Sequence, residues 1–110
     1  MNASDILELS DLQTKVVNVK EWNRDVTVRE LNLEDSLKLL DSAGDLEDDT
    51  VVLTAENIAR VIVWGVVDPD THERVFSDDD VAALAQKNHA ALMFLYKEIM
   101  SLSSEAAAKN

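Results

Sequence analysis

Carboxylates are the reactive groups this sequence offers in quantity, and they fall in clusters. Asp68-x-Asp70 is followed by Glu73 and then by Asp78, Asp79 and Asp80, a density of oxygen ligands that could attract Ca²⁺ or Mg²⁺. A calcium loop of the EF-hand kind starting at Asp68 needs Gly at its sixth position and Glu at its twelfth, where Glu73 and Asp79 stand. The spacing therefore fits an ion poorly, and the expectation is that there is no metal site. Acids in a solvated turn and in the first turn of a helix, where the positive end of the helix favours them, account for the same residues.

Nucleophilic catalysis has little to work with. His72 and His89 are the two histidines, so a Ser-His-Asp triad must use one of them, yet neither stands near a nucleophile signature such as G-x-S-x-G. His72 reads as a residue of a polar turn and His89 as one of a helix or helix junction. Gly44 and Gly65 are isolated glycines that cannot build a phosphate-cradling loop. With no cysteine, the chain has no thiol nucleophile, no disulfide and no thiolate metal ligand. Catalytic residues, cofactor-binding residues and cofactors are all expected to be absent.

The charge balance narrows the partners. The 110 residues hold 22 acids against 10 bases, a formal net charge of -12. Nucleic acid is disfavoured, since binding it needs Lys and Arg to displace counterions from phosphates, and an anionic membrane surface is disfavoured for the same reason. The acidity is unevenly placed: residues 1–80 hold 20 acids against 7 bases, and residues 81–110 hold 2 against 3. An acidic body thus precedes a nearly neutral, strongly apolar end. The first residues lack the basic start and apolar stretch of a signal peptide, and no apolar run approaches ~18 residues, which predicts a soluble cytoplasmic protein. A chain of this length buries roughly 65% of its unfolded surface, enough for one ordinary domain spanning 1–110.

The elements that must position any site follow from periodicity. Residues 4–13 could begin a short helix at Ser4. Val17 and Val19, then Val26 and Val28, alternate with polar residues and predict a hairpin over about 15–30, turning through residues 21–25 with Asn23 suited to the left-handed conformation. Trp22 is placed to fold over one face. Asn32 can cap a helix over about 33–43, along which Leu33, Leu37 and Leu40 recur at helical spacing, with Gly44 as its terminator. Four acids between Asp45 and Asp49 repel one another and predict a solvated loop. Thr54 can cap a helix over about 54–67 that is apolar enough to lie in the core with Trp64, although Val61 to Val67 is β-branched enough to be a strand. Ser77 can cap a last helix over about 78–103, with a break near Lys87-Asn88-His89. The fold class is α+β, mainly helical, with an N-terminal β-hairpin packed on three to four helices.

That last helix is the most informative segment. Val81, Leu84, Ala91, Leu92, Leu95, Ile99 and Leu102 form one stripe, and Met93, Tyr96 and Met100 a second about 100° round the axis. Packing on a single core needs a narrower face, so the surplus is either a partner surface, for which adaptable methionines are well suited, or a second part of one small core.

Taken in order, several segments resemble the tail assembly chaperones of long-tailed bacteriophages. DILELSDLQTKVVNVKEWNRDVTVREL, residues 5–31, is similar to that family's opening: a short acidic-apolar segment, a strand ending in Glu-Trp, a turn and a strand ending in Val-Arg-Glu-Leu. VIVWGVVDPDTHERVFSDDDVAAL, residues 61–84, resembles its apolar helix, acidic turn, Phe-Ser-Asp and helix start, and residues 92–103 its closing helix. Asn23 stands where the pattern usually has Gly, and His72 and Glu73 stand where the acidic turn usually holds Gly. The resemblance implies a non-enzymatic protein of the host cell cytoplasm that binds the long tape measure protein, keeps it soluble, helps recruit tail tube protein subunits, self-associates and is absent from the mature virion. Leu92, Met93, Leu95, Tyr96, Ile99 and Met100 are then the partner-binding candidates. It also implies a longer product made by a one-nucleotide backward slip, and Ala108-Lys109-Asn110 permits the codons A AAA AAC on which such a slip occurs. A gene with no slippery heptamer there would remove that expectation. Two other classes stand beside the chaperone: an acidic decoy imitating DNA through Asp45, Glu47, Asp48, Asp49, Asp78, Asp79 and Asp80, and a purely structural homo-oligomer.

Overall fold

The computed structural model describes residues 2–7, 12–43 and 54–108. Residues 8–11, Gly44, the acidic run 45–49 and the Lys109-Asn110 end of the slip motif lie outside them. A short helix α1, Ala3–Leu7, starts at Asn2 rather than Ser4, because Asn2 and Asp5 each accept the other's backbone N–H at 3.1 Å. None of its residues is buried.

The hairpin forms where alternation places it. Strands β1, Thr14–Val19, and β2, Arg24–Arg29, pair antiparallel with Val17 opposite Val26 and Asn18 opposite Asp25. The turn is a 3₁₀ segment, Lys20–Trp22, closed by Asn23 at φ 51° and ψ 46°, whose N–H donates to the Lys20 carbonyl. Asn23 is thus the left-handed residue its side chain suits. The connection is tighter than residues 21–25, because Asn18 Nδ2 donates to Asp25 Oδ1 at 3.0 Å and draws Asp25 into β2.

Helix α3, Ala55–Gly65, is capped as expected, with Thr54 Oγ1 accepting from the Asn57 N–H at 3.0 Å. It stops short of residue 67. Val66 turns extended and, with Val67, forms strand β3 antiparallel to β2, through Thr27 opposite Val67 and Val28 opposite Val66, in the sheet order β1-β2-β3. Both sequence readings of Val61 to Val67 therefore hold in part. Gly65 weakens the helix at its end, and two β-branched residues gain ladder hydrogen bonds on the open edge of β2 that a further helical turn could not supply.

Helix α2, Leu33–Ala43, begins where Asn32 Oδ1 accepts from the Asp35 N–H at 2.8 Å. Its rotation differs from what the leucine spacing implies: Asp35 and Leu39 are buried, while Leu33 is 75% and Leu37 56% exposed. The reason is an ion pair across the fold, in which Arg74 Nη2 donates to both Asp35 carboxylate oxygens at 2.7 and 2.8 Å and holds that face inward.

The last helix is two. Asp78–Asp80 is a 3₁₀ turn leading into α4, Val81–Leu84, and α5, His89–Ala108, starts afresh. Ser77 and Asp80 close the first start, the Ser77 N–H donating to the Asp80 carboxylate at 2.8 Å. Asn88 closes the second, its Oδ1 accepting from the Ala91 N–H at 3.0 Å, and α5 then runs past residue 103. The break near residues 87–89 comes from that cap.

Helices α3 and α5 pack on one side of the sheet, over Val17, Val19, Val28 and Val66, with Ile62, Trp64, Leu95 and Ile99 filling the space between. Lys15 of β1 reaches Glu98 of α5 at 2.8 Å. Ser103 of α5 accepts the Leu31 N–H at 3.0 Å and so holds the exit of β2. Among the described residues no helix is long and apolar enough to cross a membrane.

Candidate partner-binding surfaces

The six α5 residues do not share one environment. Leu92, Leu95 and Ile99 are buried among the residues of the core, Leu95 and Ile99 completely. Tyr96 and Met100 are half-buried and lean on that core, and burial pushes the Tyr96 phenol above its usual range. Met93 is half-buried and lines a hollow of about 110 Å³ with Ala55, Ile58, Ala85, Lys87, His89 and Leu92. The row Leu92, Leu95, Ile99 therefore seats α5 in its own chain, whereas the row Met93, Tyr96, Met100 keeps part of its surface open to water. Phe94, unnoticed in the sequence because it fits neither stripe, is half-exposed beside Asn18, Lys20 and Glu21.

A second apolar surface lies on the side of the sheet away from α5. Val16, Thr27 and Val67 are cross-strand partners, so their side chains leave the three strands on the same side. With Trp22 at the hairpin end and Pro69, Val75 and Phe76 from the segment after β3, they line a groove of about 390 Å³. Thr27 and Val67 are covered by these walls, whereas Val16 is 62% and Val75 57% exposed.

The turn that forms one wall spends its acids on itself. Asp68 Oδ1 accepts from the N–H groups of Asp70 at 2.8 Å and Thr71 at 3.0 Å, and these bonds hold its carboxyl below the usual range. A carboxyl lowered in the folded state adds stability above its unfolded value and loses it as pH falls through the folded one. The stability advantage of the protein over its Asp68→Asn variant is therefore expected at neutral pH and to shrink on acidification; a gap that widens toward low pH would contradict the turn. Among the described residues no group of three or more His, Asp or Glu could hold a metal ion. His72 accepts a hydrogen bond from Arg29 Nη1 at its carbonyl, and His89 stands exposed at the start of α5.

The sequence matches the phage tail assembly chaperone family over residues 6–110. The chain belongs to that family. The described fold is similar to the structure of the bacteriophage HK97 tail assembly chaperone, at a TM-score of 0.67 and 19% identity, covering 91% of this chain and 98% of that one. No curated protein matches the sequence. In this tail assembly chaperone His72 sits at φ 61°, the left-handed conformation that a glycine adopts without strain. The N–H of His72 donates to the Asp68 carbonyl and the N–H of Asp68 to the Glu73 carbonyl, so the turn itself imposes that conformation.

Proposed function

We propose that this tail assembly chaperone acts without catalysis, binding apolar segments of the tape measure protein, keeping that protein soluble in the host cytoplasm, and helping tail tube subunits assemble on it before leaving the finished particle. The observation that supports the reading is apolar surface left uncovered on an otherwise strongly acidic chain. Ile6 and Leu7 on α1, Leu33 and Leu37 on α2, Val16 and Val75 are all exposed large apolar side chains. Apolar surface of that extent is expected of a protein that has a partner to cover it, and net charge keeps such a protein in solution meanwhile. Self-association fits the same surfaces.

The α5 row Met93, Tyr96 and Met100 is the first surface assigned to the tape measure protein, since it continues the near-neutral end of the chain and can repack around more than one apolar segment. Coexpression tests the reading. The tape measure protein is expected in the soluble fraction only when the chaperone is present, and Met93→Gln with Tyr96→Gln and Met100→Gln is expected to return most of it to the pellet. Circular dichroism of the variant separates a lost surface from a lost fold. Equal solubility with and without the chaperone would sink the function, and full solubility with a folded triple variant would sink the assigned face.

A further inference from the structure

We infer that two copies of this chain join along the free edge of β1, the strand of one pairing antiparallel with the strand of the other so that the sheet runs through both. This gives a surface and a register to the self-association proposed above, and it rests on that reading.

The hydrogen bonds define the edge. The Glu30 N–H donates to the Gln13 carbonyl at 3.0 Å, so in this register Lys15, Val17 and Val19 exchange peptide hydrogen bonds with β2, while Thr14, Val16 and Asn18 turn theirs the other way. β1 stands first in the order β1-β2-β3, and among the described residues no strand lies beyond it. The opposite side of the sheet is closed, because Arg74 bridges to Val67 and the Val75 N–H donates to the Val66 carbonyl at 3.2 Å. Open edges are commonly guarded by a proline, a bulge or a free charge. The register of β1 is unbroken from Thr14 to Val19, the chain's one proline is Pro69, and Lys15 is drawn to Glu98 on the α5 side at 2.8 Å. Thr14, Val16 and Asn18 are all exposed, Val16 at 62%.

Self-complementarity selects the occupant. A two-fold axis at Val16 sets Thr14 of each copy opposite Asn18 of the other and Val16 opposite Val16, so each outward peptide group of the strand finds a partner and the two exposed valines cover each other. Lys15 then lies opposite Val17. A register shifted by two residues one way sets Lys15 opposite Lys15, and shifted the other way sets Thr14 opposite Lys20, which has left the strand. Charge permits the approach here, since β1 holds no acid on a chain of net charge -12 that repels its own copies. The hollow of about 440 Å³ beside Asn18, where Phe94 stands half-exposed, receives the start of the other copy's strand. Any extended segment could meet the backbone; a second copy meets the backbone, Val16 and the hollow at once, in one register.

Light scattering over a range of concentrations is expected to show a dimer. Val16→Pro is the decisive variant, because that N–H turns away from β2 and its loss takes no hydrogen bond from the single chain, whereas the pairing loses the bonds at its centre. The dissociation constant is expected to rise by about tenfold or more. Should that variant fail to fold, Val16→Lys keeps the backbone and sets Lys opposite Lys across the axis, with the same expected effect. Amide exchange locates the contact: the N–H groups of Thr14, Val16 and Asn18 are expected to slow by about tenfold or more as the dimer forms, and those of Lys15 and Val17, already bonded to β2, far less. A chain that stays monomeric overturns both the proposal and the self-association beneath it. An oligomer that persists in the folded variants, or that leaves those three amides unprotected, overturns the edge alone. So does slowing of the three amides only when the tape measure protein is added, which would give the edge to that partner.

Discussion

Gly65→Ala is expected to destabilise the protein by about 2–3 kcal/mol, although alanine is the better helix former by about 1 kcal/mol. A Cβ at Gly65 would lie 2.5 Å from Ile99 Cδ1 and 2.8 Å from both Ile99 Cγ1 and Cγ2. One of those atoms could swing aside; three atoms of a completely buried side chain cannot all do so without moving α5. Propensity and packing thus oppose each other in sign, and thermal or urea unfolding reads which wins. The loss corresponds to a fall in melting temperature of roughly 10–15 °C for a domain of this size. Ile99→Ala alone is expected to cost about 3 kcal/mol through the cavity it leaves. Combined with Gly65→Ala it removes the three colliding atoms, so the double variant is expected to lose much less than the two single losses added together. Additive losses would mean that the two helices do not meet at this point.

That contact also explains the limits of what the sequence could say about this fold. Local chemistry was legible: Thr54, Asn32 and Ser77 start the elements they were expected to start, and Asn23 takes the left-handed turn. Each of these depends on residues within a few positions. Strand β3 was legible only as an alternative to helix over Val61 to Val67, because Val66 and Val67 are extended through β2, about 40 residues earlier in the chain. The outward turn of Leu33 and Leu37 was hidden for the same reason, since it depends on an arginine 39 residues beyond Asp35. On α5 the spacing correctly defined two rows of side chains. Which row is spent on the core depends on where α3 and the hairpin lie, and helical periodicity holds no information on that. The outer groove is further still from the sequence, as its floor takes one residue from each of three strands.

The Asp35–Arg74 pair makes the second large prediction, and its asymmetry follows from exposure. The Asp35 side chain is 3% exposed and that of Arg74 35%. Replacing Arg74 by Met leaves a carboxylate in the interior with no countercharge, and a loss of about 3 kcal/mol is expected. Replacing Asp35 by Ala leaves Arg74 able to turn its guanidinium to water, and the expected loss is smaller, about 1–2 kcal/mol, part of it from an acid removed from the first turn of α2. Replacing both, Asp35→Leu with Arg74→Met, leaves no charge to bury and is expected to restore stability to within about 1 kcal/mol of the starting protein. Urea unfolding of the three variants measures the order. If Asp35→Ala costs as much as Arg74→Met, burial of the carboxylate is not what the pair resolves. The double variant has a further use, because it removes the ion pair while keeping an apolar inner face on α2. Where Leu33 and Leu37 turn inward in it, the pair is what chooses the rotation of α2; where they stay exposed, something other than Asp35 turns them outward.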